Sequence, residues 1–123
     1  MKPAPFAYDG LERLFHERGR LAVCTCLVAN PEGMSFTALQ EACALTDGNL
    51  NRHLHALADA EIVTLERTRG NGRPTTIVRI TDSGKSRFLA YIDALEAVVR
   101  AVQVHAQEDE QDARSARLRL ATS

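Results

Sequence analysis

Apolar positions recur along the first thirty residues at the three- and four-residue spacing of a helix. Leu11, Leu14 and Phe15 stand at i, i+3 and i+4, and Leu21, Cys24, Leu27 and Val28 repeat the pattern. This predicts helix from Asp9 to Ala29, with Gly19 as a point of division and Asn30-Pro31-Glu32-Gly33 as the stop. Met34-Ser35-Phe36 reads as a short extended bridge. Thr37, with Gln40 three residues on, has capping-box spacing and opens a helix of about two turns whose apolar face is Leu39, Ala42 and Cys43. Thr46 and Asp47 offer the next N-cap, and Leu50, Leu54 and Leu57 run along a helix over 46–60. Two helices across a turn of about three residues form a helix-turn-helix.

The period then changes. Ile62 to Arg67 is β-branched and extended, and Thr75 to Ile80 is its partner strand. Between them Gly70-Asn71-Gly72-Arg73-Pro74 is turn-rich, so the pair forms a hairpin, a wing beside the helix-turn-helix. From Thr81-Asp82 a long helix carries Phe88, Tyr91, Ile92, Leu95, Val98, Val99 and Val102 at a spacing near 3.5, and ends around Gln107. Glu108-Asp109-Glu110-Gln111-Asp112 opens a polar tail over 108–123. The expected fold is mainly α with a small β-hairpin, an α+β winged helix-turn-helix. It is one domain over 1–123: the helix-turn-helix and wing over 9–80, the long helix over 81–107, then the polar tail over 108–123.

Composition narrows the chemistry. The chain has 123 residues, 45% hydrophobic and 25% charged, close to the globular average. Its net charge is −1, which excludes a polycation that coats nucleic acid by bulk charge but not a locally basic surface. Aromatics are 5%, too few for base-stacking platforms. No stretch is long and apolar enough for a membrane helix, and Met1-Lys2-Pro3-Ala4-Pro5 lacks a secretory signal's apolar core, so the reading is soluble and cytoplasmic. Three cysteines without framework spacing fit reduced thiols.

Turned at 100° per residue, the second helix of the pair puts its three leucines inward and Gly48, Arg52, His55 and Asp59 outward, flanked by Asn49, Asn51 and Ala56. Arg bonds guanine bidentately and Asn bonds adenine, so this face suits base reading. Thr46, Asn49 and the helix N-terminus suit phosphate oxygens. Any solvated helix face is polar, but the hairpin tips the balance. From Arg67 to Arg79 it holds Arg67, Arg69, Arg73 and Arg79 and no acid, with Asn71 at its tip. That is a local +4 for a backbone or minor groove.

The runs Ser35-Phe36-Thr37-Ala38-Leu39-Gln40-Glu41 and Leu45-Thr46-Asp47-Gly48-Asn49-Leu50-Asn51-Arg52-His53-Leu54 carry a family resemblance. Arg73-Pro74-Thr75-Thr76 and Ile80-Thr81-Asp82-Ser83-Gly84-Lys85 follow at the matching distance. Together they resemble the small winged-helix transcriptional regulators of the MarR and ArsR groups, over roughly Leu11 to Leu95. The resemblance implies a homodimeric regulator of double-stranded DNA. Its recognition helix would contact DNA through Thr46, Asn49, Asn51, Arg52 and His55, with the Asn49-to-His55 face reading bases. Its wing would touch backbone through Arg67, Arg69, Asn71 and Arg73.

The apolar stripe of the last helix outruns a domain this small, so a second copy is its expected partner. Phe88, Tyr91, Ile92, Leu95, Val98, Val99 and Val102 form the seam, with Phe6, Leu11, Leu14 and Phe15 completing it. A twofold dimer places two recognition helices in successive major grooves and implies a pseudo-palindromic operator.

Other chemistry is thinner. Cys24 and Cys26 diverge by about 200° on a helix and do not share an ion, so no metal and no cofactor is expected. His16, His53, His55 and His105 lack zinc spacing, and His53 sits at the edge of the core face. There is no Gly-rich phosphate loop, nucleophile elbow or paired-carboxylate cleft, so no enzyme is expected. The rival readings are a protein-interaction winged helix and a thiol- or metal-responsive repressor using Cys24, Cys26 or Cys43. Any small-molecule effector is expected at the dimer seam.

Overall fold

A computed structural model describes residue 4 and residues 6–69 and 72–121. The elements run α1 (Arg18–Ala29), β1 (Met34–Ser35), α2 (Phe36–Cys43), α3 (Asp47–Asp59), β2 (Val63–Thr68), β3 (Thr75–Ile80) and α4 (Asp82–Ala121). The strands form one antiparallel sheet in the order β1-β3-β2. The expected bridge at Met34-Ser35 is thus its third strand, paired as Met34 with Val78 and Ser35 with Ile77.

The helix-turn-helix forms where the sequence places it. Thr46 is extended and accepts the N–H of Asn49 at 3.2 Å, capping α3. Leu50, Leu54 and Leu57 are fully buried beneath it, with Leu39 of α2 and Val23 and Leu27 of α1. The cap of α2 differs from the expected Thr37–Gln40 box. Ser35 leaves the sheet extended and accepts the N–H of Ala38 at 3.1 Å, so Thr37 already lies inside the helix.

The first predicted helix is shorter than its pattern. Residues 9–16 are successive turns, bonded as Leu11 N–H to the Tyr8 carbonyl and Phe15 N–H to that of Glu12, which reproduce a helix-like spacing. Glu17 is extended, and its carboxylate caps the N–H of Arg20 at 3.0 Å, so α1 starts beyond it. Gly19 lies inside α1 and does not divide it.

The turns let Phe15 reach across to α4, where it packs edge-on against Phe88 at 5.4 Å and tilted against Tyr91 at 5.6 Å. His16 Nδ1 bonds the Tyr91 hydroxyl at 2.8 Å, and Arg87 pairs with Glu12. Gly84 allows α4 to start hard against the preceding loop, because a Cβ there would lie 2.3 Å from the Ile62 carbonyl oxygen. Its N–H is capped by Thr81 Oγ1 at 2.8 Å.

The expected seam therefore divides. Phe88 and Tyr91 are 3% and 2% exposed inside their own chain's core with Phe15, so these rings serve the fold and not a dimer contact. Ile92 and Leu95, like Leu11 and Leu14, are partly buried against that core. Val98 is half-buried, while Val99 and Val102 are 49% and 62% exposed.

The polar tail is helical over its described residues, to Ala121. The last helix spans 40 residues, about 60 Å, and every residue from Val102 to Ala121 is exposed. Residues 107–121 hold no Gly or Pro and are rich in Ala, Gln, Glu, Leu and Arg, all strong helix formers. Their acids come first and their arginines last, the order that helix neighbours and the helix dipole favour. Polarity marks the end of an apolar face there, not of the helix. Among the described residues no helix is long and apolar enough to cross a membrane.

Candidate nucleic-acid interface

The outward face of α3 is open. Asn49, Asn51, Arg52 and His55 are all exposed, and a Cβ at Gly48 would meet nothing within 4 Å. The first turn of the helix can therefore approach a surface closely. Its N-terminus is not an empty anion site, however. Asp47 sits in the first turn, bonded by the amide of Gln40 from α2, and already complements the helix dipole. The Thr46 oxygen accepts the cap bond, which leaves its O–H proton to donate outward.

The wing is a six-by-six antiparallel pair running from Val63 opposite Ile80 to Thr68 opposite Thr75. Arg67, Arg69 and Arg73 are exposed on and beyond it, and none forms an ion pair among the described residues. Arg79 behaves differently. Its guanidinium donates to the Glu32 carbonyl and pairs with Glu66, an acid one residue outside the stretch read as acid-free. The usable charge of the wing is +3, not +4. Asn71 lies outside the described residues.

Behind the outward face of α3 is a cluster that sequence spacing did not reveal. His53, on the inner side of α3, is 2% exposed, with Nδ1 3.3 Å from the Glu17 carboxylate but no hydrogen bond formed. Burial pushes the imidazole below its ordinary pKa, Glu17 pulls it back up, and Arg52 and Arg20 push it down again. Burial raises Glu17, but the N–H groups of Arg20 and Gly19 and the charges of His53 and Arg20 together hold its carboxylate below its usual value. A cavity of about 260 Å³ opens here, lined by Arg18, Cys43, Asn49, Arg52 and His53 among others. The extended Glu17 before a helix was the one local sign of this site; its pairing with a residue 36 positions on has none.

The cysteines sort unevenly. Cys24 is fully buried, which pushes its thiol up to about 12. Cys26 and Cys43 are both half-buried, with sulfurs 3.8 Å apart. Burial, with the bond and charge of Cys26, raises Cys43 to about 11. Among the described residues no three His, Cys, Asp or Glu side chains converge as metal ligands.

Comparison with known proteins agrees with this geometry. Residues 20–99 match the family model described as a winged helix DNA-binding domain. An uncharacterized protein of Methanocaldococcus jannaschii is 39% identical over 61 residues, half of this chain and 66% of that protein, just under two thirds of its length. Among solved structures, a transcriptional regulator homologue from Pyrococcus horikoshii superposes with a TM-score of 0.70 at 26% identity, covering 74% of this chain and 89% of that one. A MarR-family regulator described from Porphyromonas gingivalis shares the fold, with a TM-score of 0.60 at 14% identity over 79% of this chain and 92% of its own.

Proposed function

The chain belongs to the winged helix DNA-binding domain family, and from that membership we propose that it binds a pseudo-palindromic operator as a homodimer and controls transcription by occupying it. In each protomer α3 enters the major groove, with Asn49, Asn51, Arg52 and His55 facing base edges and the Thr46 hydroxyl donating to a phosphate. Arg67, Arg69 and Arg73 follow the backbone or minor groove beside it. The observation that carries this reading is the pairing of an open recognition face with three unneutralised wing arginines on a chain of net charge −1.

The dimer rests on the outer part of α4. Ile92, Val99, Ala106 and Ala113 recur at intervals of seven, with Leu95 and Val102 between them. This stripe starts at the domain's own core and continues onto exposed helix, and a second copy of α4 is its simplest cover. An effector has room near the same joint, where His16, Arg18, Leu21, Tyr91 and Leu95 line a cavity of about 300 Å³ between the start of α1 and α4. A ligand there would act by changing the angle between reading head and seam.

Fluorescence anisotropy with random duplex fragments at two salt concentrations tests the reading. Expected is binding whose logarithm falls linearly with that of the salt, at a slope of about −0.9 per phosphate neutralised. No binding at low salt, by a folded and dimeric sample, would transfer the interface to a protein partner.

A further inference from the structure

Cys26 lies on α1 and Cys43 is the last residue of α2, 17 positions apart, and the packing of the two helices brings their sulfurs to 3.8 Å. Both thiols are free. A disulfide requires a separation of about 2.05 Å, so the sulfurs need to approach by less than about 2 Å. Cys43 also lines the 260 Å³ cavity, where the two guanidinium groups of Arg18 and Arg52 outnumber the one carboxylate of Glu17. Cys24 takes no part: it is fully buried and points about 200° away from Cys26 around α1.

We propose that Cys26 and Cys43 form a reversible dithiol–disulfide switch, oxidised by a carboxylate-bearing low-molecular-weight disulfide that enters through this cavity. The Cys43 thiolate attacks one sulfur of the external disulfide, breaking its S–S bond and releasing the first small thiolate. Cys26, deprotonated in turn, attacks the Cys43 sulfur of the mixed disulfide and releases the second. The protein loses two electrons and two protons. The external disulfide takes up both and leaves as two thiols.

The bond acts on the reading head through the turn that follows Cys43. Ala44 holds a left-handed conformation, φ 52° and ψ 48°, uncommon for a residue other than glycine. Two residues later Thr46 caps α3, and Asn49 and Arg52 sit in its first two turns. Drawing Cys43 toward α1 displaces this turn and with it the base-reading side chains. That coupling rests on the DNA-binding reading above, whereas formation of the bond does not.

The reduced full chain is incubated with excess oxidised glutathione at about pH 8.5, because the thiolate is the reacting form and Cys43 is raised to about 11. It is then alkylated under denaturing conditions and weighed. Expected are the loss of two hydrogens, a single alkylation at Cys24 and a cross-linked peptide joining Cys26 to Cys43. All are reversed by dithiothreitol and absent from Cys26→Ser and Cys43→Ser. Duplex affinity of the oxidised chain falls by about tenfold, a typical coupling between sites, while that of Cys43→Ser, which lacks the attacking thiol, stays unchanged by the same treatment. Three alkylated cysteines, or a glutathione adduct that never resolves, overturns the switch. A disulfide formed with duplex affinity unchanged overturns its coupling to α3. If the reduced chain binds no duplex at all, the DNA-binding reading fails while the mass result stands alone.

Discussion

Gly19 lies directly against the imidazole of His53: a Cβ on Gly19 would sit 2.5 Å from Nε2. The first helix and α3 thus meet through the one residue type that fits, and the ring's other nitrogen lies 3.3 Å from the Glu17 carboxylate without a hydrogen bond. Replacing Gly19 by Ala gains about 0.5–1 kcal/mol of helix preference but forces a fully buried ring to move, an overpacking cost of about 1–3 kcal/mol. The expected net result is a lower urea midpoint for Gly19→Ala. A midpoint at or above that of the parent would show that His53 yields freely.

The same histidine sets an acid limit to stability. Its folded-state pKa lies below the ordinary 6.5, so the unfolded chain takes up the proton first as pH falls. Stability is therefore full above about pH 6.5 and declines below it, until the folded protein is protonated too. Glu17, held below its ordinary 4.5, adds a second loss beneath that value. Urea midpoints measured from about pH 8 to about pH 3 should show both steps, and His53→Gln should remove the upper one and weaken the lower, because the His53 charge helps to hold Glu17 down.

Base-facing and backbone-facing arginines should separate in binding assays. Arg52→Ala is expected to cost about 1–3 kcal/mol on a selected operator and to relax preference at one base position. Arg69→Ala or Arg73→Ala should weaken all sequences alike and reduce the salt slope by about one. Competition titrations with operator and random duplex distinguish the two patterns, and an Arg52→Ala variant with unchanged sequence preference would remove that residue from the reading face.

Glu66 restrains the wing's charge by pairing with Arg79. The side chains of Arg79 and Glu66 are 42% and 60% exposed, so the pair contributes little to stability. Its effect is on the field of the hairpin. Glu66→Gln leaves Arg79 unneutralised and should tighten binding to every duplex while steepening the salt slope, with thermal stability nearly unchanged. An unaltered slope would place Arg79 beyond reach of the phosphates.

Val99 and Val102 test the seam without disturbing the core, since both are about half exposed or more. Val99→Glu with Val102→Glu should convert the dimer to a monomer in sedimentation equilibrium while the circular dichroism spectrum is retained. Operator affinity should fall as each half-site is then bound alone. A variant that sediments as the parent does would exclude this stretch of α4 from the interface.

The readable part of this protein was the part governed by short-range repetition. Leucines every three or four residues, β-branched runs either side of a Gly-rich tip, and Thr46 before a helical pattern located the reading head, the wing and the outward face of α3, because helix and strand impose fixed local periods on side-chain direction. Where local pattern and chain path diverged, the sequence misled. Turns over 9–16 mimicked a helix, and a polar stretch of good helix formers looked like a tail. Tertiary structure alone decided what those elements meet. It buried Phe88 and Tyr91 against Phe15 rather than against a second copy, and set His53 on Gly19 and Glu17. It also joined Arg79 to Glu66 and brought Cys26 beside Cys43. Such pairs are made by the packing of elements remote or separately folded along the chain, and packing leaves no periodic trace in the order of the residues.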